Sequence, residues 1–183
     1  FLELLWSFFP LLYWYFAYLQ DQVFLFPKRS TSSYVLLKPS QNREMERFTI
    51  SHNNEILIFK EVSKEKTSHQ AWEDLCLAWD SATGIMRLWL NRVPLPCKVI
   101  AKGYRIQWDL VILLGQDQDS YGGSLDTEQA FEGELGNICL WDTVLSADQM
   151  RSFQRQEDST PLLDWLDLSY EIKGEVMVVP SFL

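Results

Sequence analysis

VILLGQDQDSYGGSLDTEQAFEGELGNICLWD, residues 111–142, places two strand-like runs around one acidic loop. VILLG at 111–115 is apolar and β-branched at its start, and FEGELGNICLWD at 131–142 is longer and ends in apolar residues. Between them, residues 117–129 carry four carboxylates (Asp117, Asp119, Asp126, Glu128) and two side-chain amides (Gln118, Gln129), with Gly122 and Gly123 free to turn sharply. Oxygen donors in this density suit a hard cation, and calcium takes six to eight of them without a strict octahedron. Counted against an EF-hand loop, Asp117, Asp119, Gly122 and Glu128 fall at its first, third, sixth and twelfth places, while Tyr121 spoils the fifth. An EF-hand is flanked by helices and this loop by strands, so its geometry is expected to be that of a loop at a sheet edge; a plain solvated acidic loop is the alternative.

Outward from that loop the same short-strand rhythm continues. VFLFP at 23–27, SYVLL at 33–37, EILIF at 55–59, LCLAW at 75–79, MRLWLN at 86–91 and EVMVV at 175–179 read as strands separated by turns. Ser81-Ala82-Thr83-Gly84 is expected to be a hairpin turn. Ser146 opens an S-x-x-Q capping box with Asp148 in the first turn of a short helix reaching Phe153. The fold expected is all-β, an antiparallel two-sheet sandwich with one short helix. The weak stretch is Lys38 to Trp72, where PSQNREMER and KEVSKEKTSHQ are charged and few strands are visible. Solvated loops or missing core strands would both explain it.

The chain has 183 residues, 47% of them hydrophobic and 14% aromatic, enough apolar surface for one domain with a sizeable core. Sixteen basic against 25 acidic residues give a formal charge of −9, which repels nucleic acid and anionic membrane. Residues 1–20 form an apolar unit with Glu3 its one charge before Asp21, leaving 21–183 as the domain. The length fits a membrane span; the position and the polar Gln20-Asp21-Gln22 fit a secretory signal, though no basic leader or A-x-A-like cleavage site is visible; a fragmentary start is the third reading. Cys76, Cys97 and Cys139 offer neither a CxxC pair nor a His at zinc spacing, and permit at most one internal disulfide from three pairings. Cys139 is expected in the core. Trp79, Trp89 and Trp141 lie within strand patterns and are expected to pack rather than to serve as sugar platforms. His52 and His69 sit in charged stretches, and no G-x-S-x-G, H-E-x-x-H or P-loop occurs, so an enzyme is not expected.

The ordered set LGQDQDSYGG (114–123), FEGELGN (131–137) and LWDTVLS (140–146) resembles the pentraxin family. VFLFPK (23–28), WDSATG (79–84), LWLN (88–91) and YEIKGEV (170–176) extend the resemblance over most of Val23 to Pro180. It implies a legume-lectin-like jelly roll and a secreted, calcium-dependent lectin-like protein. Its ligands would be phosphate-bearing or acidic, such as phosphocholine or phosphoethanolamine, with two calcium ions per subunit and assembly into a homopentamer. Carried over position by position, Asp117, Gln118 and Asp119 match the central ligand triplet, where the family usually begins with Glu. Gln129 and Asp126 match positions serving the second ion. Asn53 and Asn54 match an Asp-Asn pair, so Asn53 removes a charge and should weaken that site. Phe59 matches a hydrophobic position beside the ligand pocket.

Two departures follow from the same resemblance. Cys76 matches one cysteine of the family disulfide, but the strand expected after Phe48-Thr49-Ile50 with its partner is missing, and the chain passes directly to Ser51-His52-Asn53-Asn54. A second gap follows Glu61. Unpaired sheet edges and exposed inner faces would cost more than the roughly 5–15 kcal/mol of stability a domain has, so a degenerate family member without ligand binding is the competing expectation.

Overall fold

A computed structural model describes residues 16–17, 19–39, 44–54, 72–107, 112–117, 125–152 and 161–181. In chain order the strands are β1 (Phe16–Ala17), β2 (Gln22–Phe26), β3 (Tyr34–Lys38), β4 (Arg47–Asn54), β5 (Glu73–Asp80), β6 (Ile85–Leu90), β7 (Val93–Pro94), β8 (Lys98–Val99), β9 (Ile112–Leu114), β10 (Gly133–Trp141), β11 (Leu168–Lys173) and β12 (Met177–Pro180), with α1 at Ala147–Ser152. One sheet has the order β1-β11-β3-β9. The other runs β12-β2-β10-β4-β5-β6-β7, with β8 also on β6, and every pairing is antiparallel. The expected all-β sandwich is therefore the fold.

The core forms where alternating residues of both sheets meet. Phe24 and Phe26 of β2, Val35 and Leu37 of β3, Leu135, Ile138 and Leu140 of β10, and Trp165 and Leu168 are all buried in one cluster. Phe24 meets Trp165 and Tyr170 edge-on at 5.2 and 4.9 Å, an arrangement that matches ring edges to ring faces. Leu19 is fully buried in this cluster, and its carbonyl accepts a 2.9 Å hydrogen bond from the buried Trp165 indole. With β1 paired on β11, the folded domain thus includes Phe16, Ala17 and Leu19, from the apolar segment that the sequence sets apart as residues 1–20.

A second cluster lies under α1, where Met150 meets Cys76, Ala78 and Trp89. Both halves of the capping box form: the Gln149 amide donates to Ser146 Oγ at 3.3 Å, and the Ser146 amide donates to Gln149 Oε1. The fully buried Thr49 hydroxyl donates to the Thr143 carbonyl (2.8 Å) and accepts from the Leu145 amide (3.0 Å), fixing the approach to α1.

The strand after Ile50 is present. β4 continues through Asn54 and pairs with β5 at eight successive positions, setting Ser51 opposite Cys76. Its other side pairs with β10, so the larger sheet runs without a break from β10 to β5. The expected strand at 55–59 lies outside the described residues. In β10 the register slips between Gly136 and Cys139, and Asn137 takes a positive φ of 52°. This bulge re-phases the strand, so Leu135 on one side and Ile138 and Leu140 on the other all reach the core. Cys139 is displaced to half-burial at the margin of the core rather than its interior. Trp79 and Trp89 are buried as expected, and the Trp79 indole donates to the Ile100 carbonyl at 3.1 Å.

Candidate functional site

The acidic loop leaves β9 and returns to β10 through a closed base. Strand β9 is held by β3, with Leu114 opposite Val35. Gly115 then turns at φ +87°, directly against the Phe26 ring; a Cβ there would stand 2.2 Å from Phe26 Cε1. Only glycine meets both requirements. The Gly115 carbonyl accepts from the Phe131 amide at 3.0 Å, and the Phe131 ring meets Phe26 edge-on at 5.4 Å. The two ends of the loop are thereby hydrogen-bonded to each other and seated on one core phenylalanine.

The described donors stand at both ends of this excursion. Asp117 is exposed, two residues beyond Gly115. At the returning end Asp126 caps a single 3-10 turn, Thr127–Gln129: its Oδ1 accepts from the Glu128 amide at 3.0 Å, and its carbonyl accepts from the Gln129 amide at 3.1 Å. That turn holds Gln129 exposed at the solvent edge, while Ala130 drops into the core. Gln118 and Asp119, with Phe59, lie outside the described residues. Among the described residues no group of three His, Cys, Asp or Glu side chains converges. The chemistry of the donors, carboxylate and carboxamide oxygens without thiol or imidazole, fits calcium. Asp117, Asp126 and Gln129 are the described residues of the loop that would hold it.

Asn53 and Asn54, the pair matched from the resemblance, lie within the described residues. They are the last two residues of β4, Asn53 opposite Gly136 and Asp74, Asn54 opposite Leu135 and Glu73. Leu135 is only four residues from Phe131, so β4 ends on the same side of the sheet as the loop base.

The cysteines form no disulfide. The position facing Cys76 is Ser51, so Cys76 has no thiol to bridge in the neighbouring strand. Its Sγ instead contacts Met150 Sδ at 3.3 Å, and burial pushes the thiol up to about 12. Cys97 is exposed.

Gln116 anchors the start of the loop. Its Nε2 donates to the carbonyls of Ser30 and Ser33, the latter at 2.8 Å, tying the start of the loop to the turn between β2 and β3. Its neighbour Asp117 draws attention by charge, whereas an amide between a glycine and an acid carries no pattern of its own.

Comparison with known proteins agrees with this architecture. The family model described as the Pentaxin family matches residues 53–180. Serum amyloid P-component of Bos taurus is 33% identical over 198 residues, covering 88% of this chain and 88% of that protein. C-reactive protein of Oryctolagus cuniculus is 32% identical, covering 98% of each. Among solved structures, the native heptameric SAP-like pentraxin of Limulus polyphemus superposes with a TM-score of 0.75 over 90% of this chain and 97% of that one, at 16% identity. With sequence and fold in agreement over most of its length, this chain belongs to the pentraxin family.

Proposed function

We propose that this protein is a secreted, calcium-dependent, lectin-like binding protein, not an enzyme, that takes phosphate-bearing or acidic ligands such as phosphocholine or phosphoethanolamine. The observation that supports the reading is the closed base of the acidic loop, where the Phe131 amide donates to the Gly115 carbonyl and joins the two ends of the segment that carries Asp117, Asp126 and Gln129. Two calcium ions bridging this surface to a ligand phosphate would supply the positive charge that a chain of net charge −9 otherwise lacks for anions. Gln118, Asp119, Asn53 and Asn54 complete the proposed ligand set, and Phe59 the apolar wall for a choline methyl group. Family membership supports the calcium chemistry, and relatives named for serum support secretion. Among the described residues, no helix is long and apolar enough to cross a membrane.

Self-assembly belongs to the same proposal. The larger sheet carries exposed apolar residues at both of its edges: Val93, Val99, Ile100 and Tyr104 around β7 and β8, and Met177 on β12. Exposed apolar residues at opposite edges suit a head-to-tail contact, which generates a ring when the rotation between subunits closes. Five subunits are the expected number, and light scattering after size exclusion measures it.

The site is tested by passing the protein over immobilised phosphocholine and phosphoethanolamine. Retention in calcium with release by chelator is the expected result. Equal flow-through in both conditions would support a second reading, a family member that keeps the sandwich and has lost the ligand site. Asn53, an amide where the family resemblance leads one to expect a carboxylate, is what favours that alternative.

A further inference from the structure

Gln116 stands beside the first proposed calcium ligand and reaches away from it. Its carboxamide NH2 spans the two ends of one turn, donating to the Ser30 and Ser33 carbonyls. The reverse orientation would set Oε1 against two carbonyl oxygens, so the partners themselves fix which end points inward. Among the described residues, the buried Oε1 has no hydrogen-bond partner. A buried acceptor left unpaired is unfavourable, and the side chain keeps this orientation for its donor end alone.

The turn it grips is itself anchored. Ser33 is buried, and its hydroxyl accepts from the Glu175 amide at 3.1 Å. Gly174, at φ +69°, packs so tightly on this turn that a Cβ would come within 2.5 Å of the Ser32 carbonyl oxygen. Lys28 and Glu175 add an exposed ion pair at 2.9 Å. The β2–β3 turn and the β11–β12 turn are thus one packed corner joining the two sheets, and Gln116 ties the acidic loop to it.

From this geometry we infer that Gln116 is a positioning residue: it holds the Gly115–Asp117 backbone against the sheet corner, so that Asp117 meets the cation in a fixed place. The inference rests on the calcium reading above. Groups that orient a metal ligand from behind typically change affinity by 10–100-fold when removed, and loss of both donated hydrogen bonds is expected to weaken calcium binding about tenfold.

The test compares Gln116→Met, which keeps the volume and removes both donors, with Ser81→Ala, which removes a buried hydroxyl bonded to the Tyr104 carbonyl at 2.6 Å in another part of the fold. Calcium affinity and chelator-state unfolding are measured for both and for the parent protein. A tenfold calcium loss in Gln116→Met, with Ser81→Ala within twofold of the parent, is the expected outcome. Unchanged affinity in Gln116→Met, or equal loss in both variants, overturns the inference. If the parent protein does not respond to calcium, the calcium reading fails and protease cleavage between residues 117 and 130 in chelator decides the tether. Faster cleavage in Gln116→Met than in Ser81→Ala then supports it, and equal rates overturn it. Should Gln116→Met fail to fold, Gln116→Asn, with the same donors on a shorter stem, replaces it under the same criteria.

Discussion

Replacing Ser51 by Cys should build a disulfide where this chain has none. Ser51 stands opposite Cys76 in an uninterrupted run of eight paired positions. Directly opposed residues of antiparallel strands have Cα atoms about 4.5–5.5 Å apart, within the range of about 4.4–6.8 Å that a disulfide spans. The bridge would close a loop of about 26 residues, and chain entropy assigns such a loop about 3.5 kcal/mol of stabilisation. For a domain of this size, that raises the melting temperature by about 10 °C. Thiol titration of the denatured, unreduced Ser51→Cys protein should find two free thiols, Cys97 and Cys139, and peptide mapping should recover a 51–76 pair. Dithiothreitol should abolish the gain in melting temperature. Cys139 also faces Ser51, from β10, but across the register slip at Asn137, where the backbone is irregular. Four free thiols, or a 51–139 bridge, would refute the register argument.

Three further substitutions or probes bear on the fold and the loop base. Gly115→Ala sets a Cβ into the Phe26 ring at a positive φ; a loss of about 2–4 kcal/mol is expected in urea unfolding, and an unchanged midpoint contradicts the described loop base. Leu19→Ala removes a fully buried side chain and should cost about 3 kcal/mol by the same assay, whereas no effect would place Leu19 outside the core. At pH 8 a thiol reagent should modify exposed Cys97 rapidly and leave Cys76 unreacted until the protein unfolds. Burial and a thiol pushed up to about 12 leave almost no Cys76 thiolate at that pH, and modification of both at similar rates would contradict the packing under α1.

The strand content was legible because burial on one face writes itself as alternation: VFLFP, SYVLL and LCLAW appear as β2, β3 and β5 within two residues. Ser146 and Gln149 announced the helix start, since their spacing is what the reciprocal capping bonds require. The continuation of β4 was not legible, because Ser51, His52, Asn53 and Asn54 are polar and their strand state is imposed by pairing with β5 and β10 on either side. The bulge at Asn137 escaped for a related reason: alternation read through GELGNICLW puts Cys139 with the wrong neighbours once a residue is inserted. At the candidate site, charge density marked the loop, while Gly115 and Gln116, which hold it, act by shape and by backbone carbonyls far away in sequence.

Residues 117–129 are proposed to hold calcium on a folded sandwich. Thermal unfolding of the purified protein in chelator and in increasing calcium tests it most directly, because a cation that binds the folded state alone must stabilise it. About 2.7 kcal/mol is expected at a hundredfold excess over the dissociation constant, a rise of several degrees in the melting temperature that saturates and that magnesium does not reproduce. Superimposable cooperative transitions at every calcium concentration would leave the pentraxin sandwich intact and contradict the calcium site.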